Sequence, residues 1–284
     1  MASPRWPGAS PTINAGVRSL GLMCGAGVLP ARMATEARRQ GWRVVAFAFP
    51  GAGDLATAAD AIVPTRIEAM GPVVETLARE QVSAVAFSGK FWMGDLLAAG
   101  PPDATHARMA ARAGALLDGN LAEAIVATLA GLGIELLDQR RFLGDWVGGP
   151  RTWSARAPSQ EEWSDIRRGF AVARVMAQAS VGQTVVVRRG AVSAVEAIEG
   201  TTEAIRRGTA LSGPGAVVVK GVAPGHDFRF DTPGIGPETI EVAAAGGVAA
   251  LAIEAGCVLM VEREATIARA DAAGMALVSV DAAG

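Results

Sequence analysis

The chain has 284 residues, half of them hydrophobic and 19% charged, with 28 acidic against 26 basic side chains and a formal charge of −2. At about 150 residues per domain that is room for roughly two domains with a sizeable core, which excludes a disordered polymer. The charge balance lacks the basic excess of a nucleic-acid domain, so no nucleic-acid partner is expected. The two cysteines, Cys24 and Cys257, provide neither a disulfide framework nor a metal spacing, which fits a reducing, cytoplasmic setting.

Residues 1–16 are rich in Pro, Ser, Gly and Ala and read as a disordered tail without a signal-peptide core. No stretch approaches the roughly 20 apolar residues of a membrane-spanning helix. From Ser19 the pattern becomes strand (19–24), glycine turn (25–30), helix (31–40) and strand (43–49). A helix at 72–79, a strand at 82–87 ending in Ser88-Gly89-Lys90, a helix at 120–132 and a strand at 134–137 follow. This alternation predicts an α/β fold that opens with a Rossmann-like parallel-sheet domain over residues 17–147.

The Pro-, Gly-, Trp- and Arg-rich segment 148–163 reads as a linker, and 164–284 as a C-terminal mixed α/β domain. Trp163, Ile166, Phe170, Ala173 and Ala177 recur at helical spacing, so 163–180 is predicted helical. Segments 184–188 and 191–198 flank the turn Arg189-Gly190 as a hairpin. A strand at 216–220, a helix at 237–245 and strands at 248–253 and 258–261 around Gly256 complete the reading.

Three clusters carry the chemistry. Gly25-Ala26-Gly27-Val28-Leu29-Pro30 follows the first strand, where glycines let a backbone approach a ligand and a helix N-terminus faces a phosphate; a plain tight turn explains it equally well. The third glycine of the dinucleotide fingerprint is missing and Phe49-Pro50 ends the second strand without an acid, which disfavours a nicotinamide oxidoreductase. Lys90 stands at a strand's carboxyl end, where open parallel sheets bind ligands; a solvated lysine closing the strand is the simpler reading.

The third cluster is His226-Asp227-Phe228-Arg229-Phe230-Asp231, bounded by prolines and glycines. In an extended segment Asp227, Arg229 and Asp231 point to one side, an arrangement suited to a divalent cation and a phosphate, or else to a simple salt-bridged loop. Glu196 and Glu199 add two acids at a strand end, either completing the site or facing water.

Taken together, these residues resemble the LpxI family of UDP-2,3-diacylglucosamine pyrophosphatases of lipid A biosynthesis. The resemblance runs from about Leu20 to the C-terminus. It rests on Gly25 to Pro30, Ser88-Gly89-Lys90, Pro102-Asp103, Asp118 with Leu121, Gly182 to Val187, Ala194 to Thr201 and Gly225 to Pro237. It departs from the family pattern at Gly119, Thr202 and Ala223, and at His226, where the family usually carries a glutamine.

The resemblance implies hydrolysis of UDP-2,3-diacylglucosamine to 2,3-diacylglucosamine 1-phosphate and UMP, with a divalent cation, usually Mg²⁺, and lipid held between two domains. The expected catalytic residues are Asp227, Asp231 and Arg229. Expected in substrate binding are Gly25, Gly27, Lys90, Gln183, Thr201 and His226, and as metal ligands Asp227, Asp231, Glu196 and Glu199. A non-catalytic nucleotide-sugar binding protein is the competing reading. A diacyl substrate also implies peripheral contact with the inner-membrane surface through an apolar rim, for which Phe91, Trp92, Met93, Trp146 and Trp153 are the candidates. A homodimer is a further possibility.

Overall fold

A computed structural model of the chain describes residues 18–91, 101, 103–113 and 118–281. Trp92, Met93 and the tail at 1–16 lie outside the described residues.

The first sheet has five parallel strands. They are β1 (Arg18–Cys24), β2 (Trp42–Ala48), β3 (Ala61–Pro64), β4 (Ala84–Ser88) and β5 (Glu135–Leu136), in the spatial order β3-β2-β1-β4-β5. That is the order of a doubly wound sheet, whose winding reverses between β1 and β4. Its strands are nearly continuous apolar runs because both faces are covered. On one face Leu20, Leu22, Val44, Ala46, Ala84 and Ala86 pack under α1 (Leu29–Arg39) through Met33, Ala34 and Ala37. On the other, Val45, Phe47 and Val85 meet Val73 and Leu77 of α2 (Met70–Arg79) and Leu129 of α4 (Asp118–Gly131). Helix α3 (Ala104–Ala113) lies against α4 and α2.

The second sheet is mixed. Three parallel strands, β9 (Val217–Lys220), β11 (Ala250–Glu254) and β13 (Ala276–Val280), form its centre. On one side β6 (Arg151–Thr152) adds antiparallel to β13; on the other, β7 (Thr184–Arg188) runs antiparallel to β9, and β8 (Ala191–Val195) closes the edge. Helix α5 (Gln160–Gln178) covers one face with Ile166, Phe170 and Ala173. Helices α6 (Thr201–Ser212), α7 (Pro237–Ala245) and α8 (Arg263–Ala272) cover the other with Ile205, Ile240, Val242 and Ala270. Two glycines set the approach: a Cβ on Gly169 of α5 would lie 2.4 Å from Val219, and one on Gly208 of α6 2.7 Å from Val186. Helix α5 starts at a capping box in which Ser159 and Glu162 satisfy each other's backbone amides.

The segment read as a linker is docked on the second sheet. Arg151 and Thr152 form β6, the Trp153 indole donates to Ser279 Oγ at 2.9 Å, and Arg156 pairs with Glu162 at 2.8 Å. The segment 258–261 does not return beside β11. Strand β12 (Leu259–Met260) pairs in parallel with β10 (Gly234–Ile235), and Leu259 enters the core beneath α1, next to Phe142 and Leu143. Val147 bridges antiparallel to Leu259, so the two halves meet along residues 139–147.

Among the described residues no helix is long and apolar enough to cross a membrane. Three of the proposed rim residues have partners: Trp146 lies under Arg32, Trp153 under Arg151 and Arg263, and Phe91 among other aromatic rings.

Candidate functional site

Strands β1 and β4 end side by side and their exits are clasped together. Gly25 N–H donates to Ser88 O at 2.8 Å, and Ala26 and Lys90 exchange two backbone hydrogen bonds of 2.9 Å. A Cβ on Gly25 would sit 2.4 Å from Lys90 O, and Gly89, at φ +84°, would put one 2.7 Å from Ala26 O. These two glycines are therefore required by the clasp itself. Gly27 differs: its φ is +98°, its backbone bridges to Ala52, and among the described residues no atom lies within 4 Å of where its Cβ would be, so on that side its backbone is uncovered by them. The clasp fixes the Lys90 backbone at the carboxyl edge of the parallel sheet, next to the start of α1, whose N-cap Val28 gives no side-chain cap.

The acidic loop is a turn, which corrects the extended geometry expected from sequence. Phe230 N–H donates to Asp227 O at 3.3 Å, bending the chain so that alternation is lost. Asp227 and Arg229 face each other in a two-pronged pair, Nε to Oδ1 at 2.9 Å and Nη2 to Oδ2 at 2.7 Å. Asp231 turns away and accepts from Gln183 Nε2 at 2.8 Å. His226 Nε2 lies 3.0 Å from Asp231 O; a carbonyl only accepts, so that nitrogen donates and Nδ1 is left for another partner. The Arg229 guanidinium holds the Asp227 carboxyl below the ordinary aspartate range, against an opposing push from burial.

This loop docks on the first half of the chain. Phe228 is buried beneath the Arg140 guanidinium, 3.7 Å from its ring centre, and its carbonyl accepts from Gln139 N–H at 3.1 Å. The Phe230 ring lies 5.5 Å from Phe87, which in turn contacts Phe91 at 5.9 Å, the residue after Lys90. The lysine clasp and the acidic loop are thus joined by one aromatic row. Asp138, which sequence reasoning missed, also faces this junction: burial and the Asp227 charge push its carboxyl up, and its bonds from Arg140 outweigh them.

Behind the loop lies a partly buried polar network. Lys220 ends β9 and donates to Thr201 Oγ1 at 2.7 Å; Thr201 donates to Glu196 Oε1 at 2.8 Å; Lys220 Nζ stands 4.0 Å from Glu196. Burial pushes the Glu196 carboxyl up, but the Lys220 charge and hydrogen bonds from Thr184, Thr201 and the Gln183 amide bring it below its ordinary value. Lys220 was not anticipated, although one signal was present: the chain has only two lysines, Lys90 and Lys220, and each ends an apolar strand run. Glu254, likewise missed, is buried at the end of β11 and accepts from Val222 N–H at 2.8 Å.

The four acids expected to hold a cation are each engaged within the protein: Asp227 by Arg229, Asp231 by the Gln183 side chain, Glu196 by the Lys220 network and the Gln183 backbone amide, and Glu199 by Arg207. Among the described residues no three His, Cys, Asp or Glu side chains gather in a metal-holding group. As arranged, these four do not fit a single Mg²⁺ as one donor set.

The LpxI N-terminal domain family matches residues 19–146 and the LpxI C-terminal domain family matches residues 150–278. The chain belongs to the LpxI family. A curated relative from Caulobacter vibrioides, named UDP-2,3-diacylglucosamine pyrophosphatase LpxI, is 32% identical over 93% of this chain and 98% of its own. Among solved structures, CobK precorrin-6A reductase aligns over 93% of this chain and 88% of its own at 14% identity, with a TM-score of 0.34. The two LpxI matches divide between residues 146 and 150, within the junction where Val147 bridges to Leu259.

Proposed function

We propose that this LpxI-family protein hydrolyses the pyrophosphate of UDP-2,3-diacylglucosamine, giving 2,3-diacylglucosamine 1-phosphate and UMP. The observation that carries the reading is the aromatic row that joins the Lys90 clasp to the Asp227–Arg229 pair, within a chain whose curated relative is named for that activity.

A diphosphate needs cationic neutralisation and a positioned water. Lys90 is held at the sheet edge beside the bare backbone of Gly27, where a phosphate can approach. Arg229 uses Nε and Nη2 on Asp227, which leaves its Nη1 donors for a phosphate oxygen. Asp227 stays ionised at neutral pH and so can accept a proton from the water that attacks phosphorus. The water oxygen bonds to one phosphorus as that phosphorus parts from the bridging oxygen, which leaves on the other phosphate; the water's protons pass to Asp227 and on to solvent, and the two halves depart as UMP and 2,3-diacylglucosamine 1-phosphate. Asp231 and Gln183 brace the loop from the second sheet, and His226 presents Nδ1 where the family has an amide.

The test is incubation of the purified protein with UDP-2,3-diacylglucosamine, with added Mg²⁺ and with chelator, followed by separation of UMP from lipid. UMP formation supports hydrolysis, and the chelator arm decides whether Mg²⁺ takes part. Tight substrate binding without UMP in any arm would favour a nucleotide-sugar binding protein.

A further inference from the structure

Residues 166–195 contain five arginines and no acidic residue, in a chain whose formal charge is −2. They span most of α5, strand β7, its turn and strand β8. Nearly all described arginines pair with a carboxylate, a hydroxyl, a carbonyl or a ring; Arg188, for example, bonds Ser212 O. Among the described residues, Arg167, Arg168, Arg174 and Arg189 have no ion pair, side-chain hydrogen bond or stacked ring.

These four are neighbours. Ile166, Gly169, Phe170 and Ala173 turn α5 inward, which leaves Arg167, Arg168, Ala171 and Val175 on its outer flank and Arg174 half-buried beside them. The turn carrying Arg189 is pinned to the same helix, because the buried Asp165 accepts from the amides of Arg189 and Gly190 at 2.7 Å each. Of the remaining acids of α5, Glu162 is taken by the capping box and Arg156, so only Glu161 in the first turn offsets the arginines.

The same flank exposes valine. Val175 is 61% exposed and Val181 40%; Val192, on the edge strand opposite Val187 and on the side that α5 covers, is 36% exposed. Unpaired guanidiniums interleaved with small apolar side chains and no exposed aromatic ring are complementary to a phosphate-covered bilayer surface, where arginine forks onto phosphate and valine reaches the acyl boundary. A single-stranded nucleic acid would call for aromatic stacking platforms. The flank also leads to the site: after α5 the chain passes through Val181 and Gly182 to Gln183, whose amide holds Asp231.

We infer that the outer flank of α5, with the β7–β8 turn and edge strand, is the surface by which the protein seats on an anionic phospholipid membrane. The choice of a bilayer as occupant rests on the reading of the substrate as a diacyl lipid. The attachment is chiefly electrostatic, unlike the apolar rim expected from sequence.

The test is cosedimentation of the full chain with vesicles of phosphatidylcholine alone or mixed with phosphatidylglycerol, without substrate. Binding should appear only with phosphatidylglycerol and fall steeply between low salt and about 0.3 M. Each basic side chain near an anionic surface raises the partition roughly five-fold, so Arg167→Glu/Arg168→Glu/Arg189→Glu should lower it by on the order of a hundred-fold or more. Val175→Asp should weaken it less, and Arg66→Glu/Arg79→Glu on the first sheet's side should leave it within a few-fold. Circular dichroism and unchanged hydrolysis of detergent-dispersed substrate would show the triple variant folded. Equal binding to neutral vesicles, no binding to anionic ones, or full binding by the folded triple variant would overturn the inference. So would binding of single-stranded RNA through these arginines with no vesicle binding. Vesicle binding by a protein that hydrolyses nothing would sink the proposed function and leave this surface standing.

Discussion

Phe230 of the acidic loop and Phe87 of β4 hold their rings 5.5 Å apart across the junction between the two sheets. Through this contact the turn that carries Asp227 and Arg229 is registered against the strand that ends in Lys90. Both rings are half-buried, so the pair contributes a share of the several kcal/mol of a core phenylalanine, about 1–2 kcal/mol. Phe230→Ala should lower the melting temperature by a few degrees and raise KM more than it lowers kcat, because the loop keeps its Asp227–Arg229 pair but loses its register. Thermal unfolding with steady-state kinetics checks this; an unchanged KM would mean that the aromatic row does not assemble the site.

The glycines of the clasp give a paired test. Gly25→Ala places a methyl group against the Lys90 carbonyl, a backbone atom that cannot step aside, and should destabilise by about 1–3 kcal/mol. Gly27→Ala meets none of the described residues within 4 Å, and its positive φ should cost about 1 kcal/mol. If a phosphate approaches Gly27, that mild variant should lose substrate affinity well beyond its stability change. Isothermal titration beside chemical denaturation separates the two effects.

The Lys220–Glu196 pair links stability to pH. The folded-state pKa of Glu196 lies below its ordinary value, so its contribution is present above the unfolded pKa, about 4.3, and disappears as pH falls through the folded value. The wild type should therefore lose stability more steeply below about pH 5 than Glu196→Gln does. Lys220→Met leaves the half-buried Glu196 carboxylate without its cation and should cost about 3 kcal/mol at neutral pH. Urea unfolding across the pH range, run on both variants and their double mutant, measures the coupling.

Much of the fold was legible because buried strands announce themselves as apolar runs and amphipathic helices by spacing. The unit β1-α1-β2, the helix α5, the strands β7 and β9 and the helix α7 stand within a few residues of where pattern placed them. Helix α6 was not legible: Thr201, Thr202, Gly208 and Thr209 dilute its propensity, and its packing against Val186 needs a glycine where pattern reading expects a side chain. Strand β3 is short and edge-placed, and α8 carries a small alanine-rich face with weak periodicity. At the site, composition located the 226–231 cluster but not its turn, since alternation assumes an extended chain. No local signal pairs Asp231 with Gln183 or Glu196 with Lys220, whose contacts are made by the sheet.

Arg229 should control the acid limb of the rate profile. Its guanidinium lowers the Asp227 pKa, so Arg229→Gln should let that carboxyl rise and move the acid limb of kcat/KM to higher pH, besides lowering the rate. A pH profile of the variant that keeps the wild-type acid limb would separate Asp227 from the proton-accepting role.

The most direct test of the central claim is Asp227→Asn, which keeps the size of the side chain and removes its charge. Turnover of UDP-2,3-diacylglucosamine and binding of the same lipid are measured on one preparation, with unfolding as the control. Hydrolysis by way of Asp227 predicts a fall in kcat of about 10²–10⁴ while the dissociation constant stays within a few-fold and the fold persists. A folded variant that binds the lipid and retains most of its turnover would contradict the account.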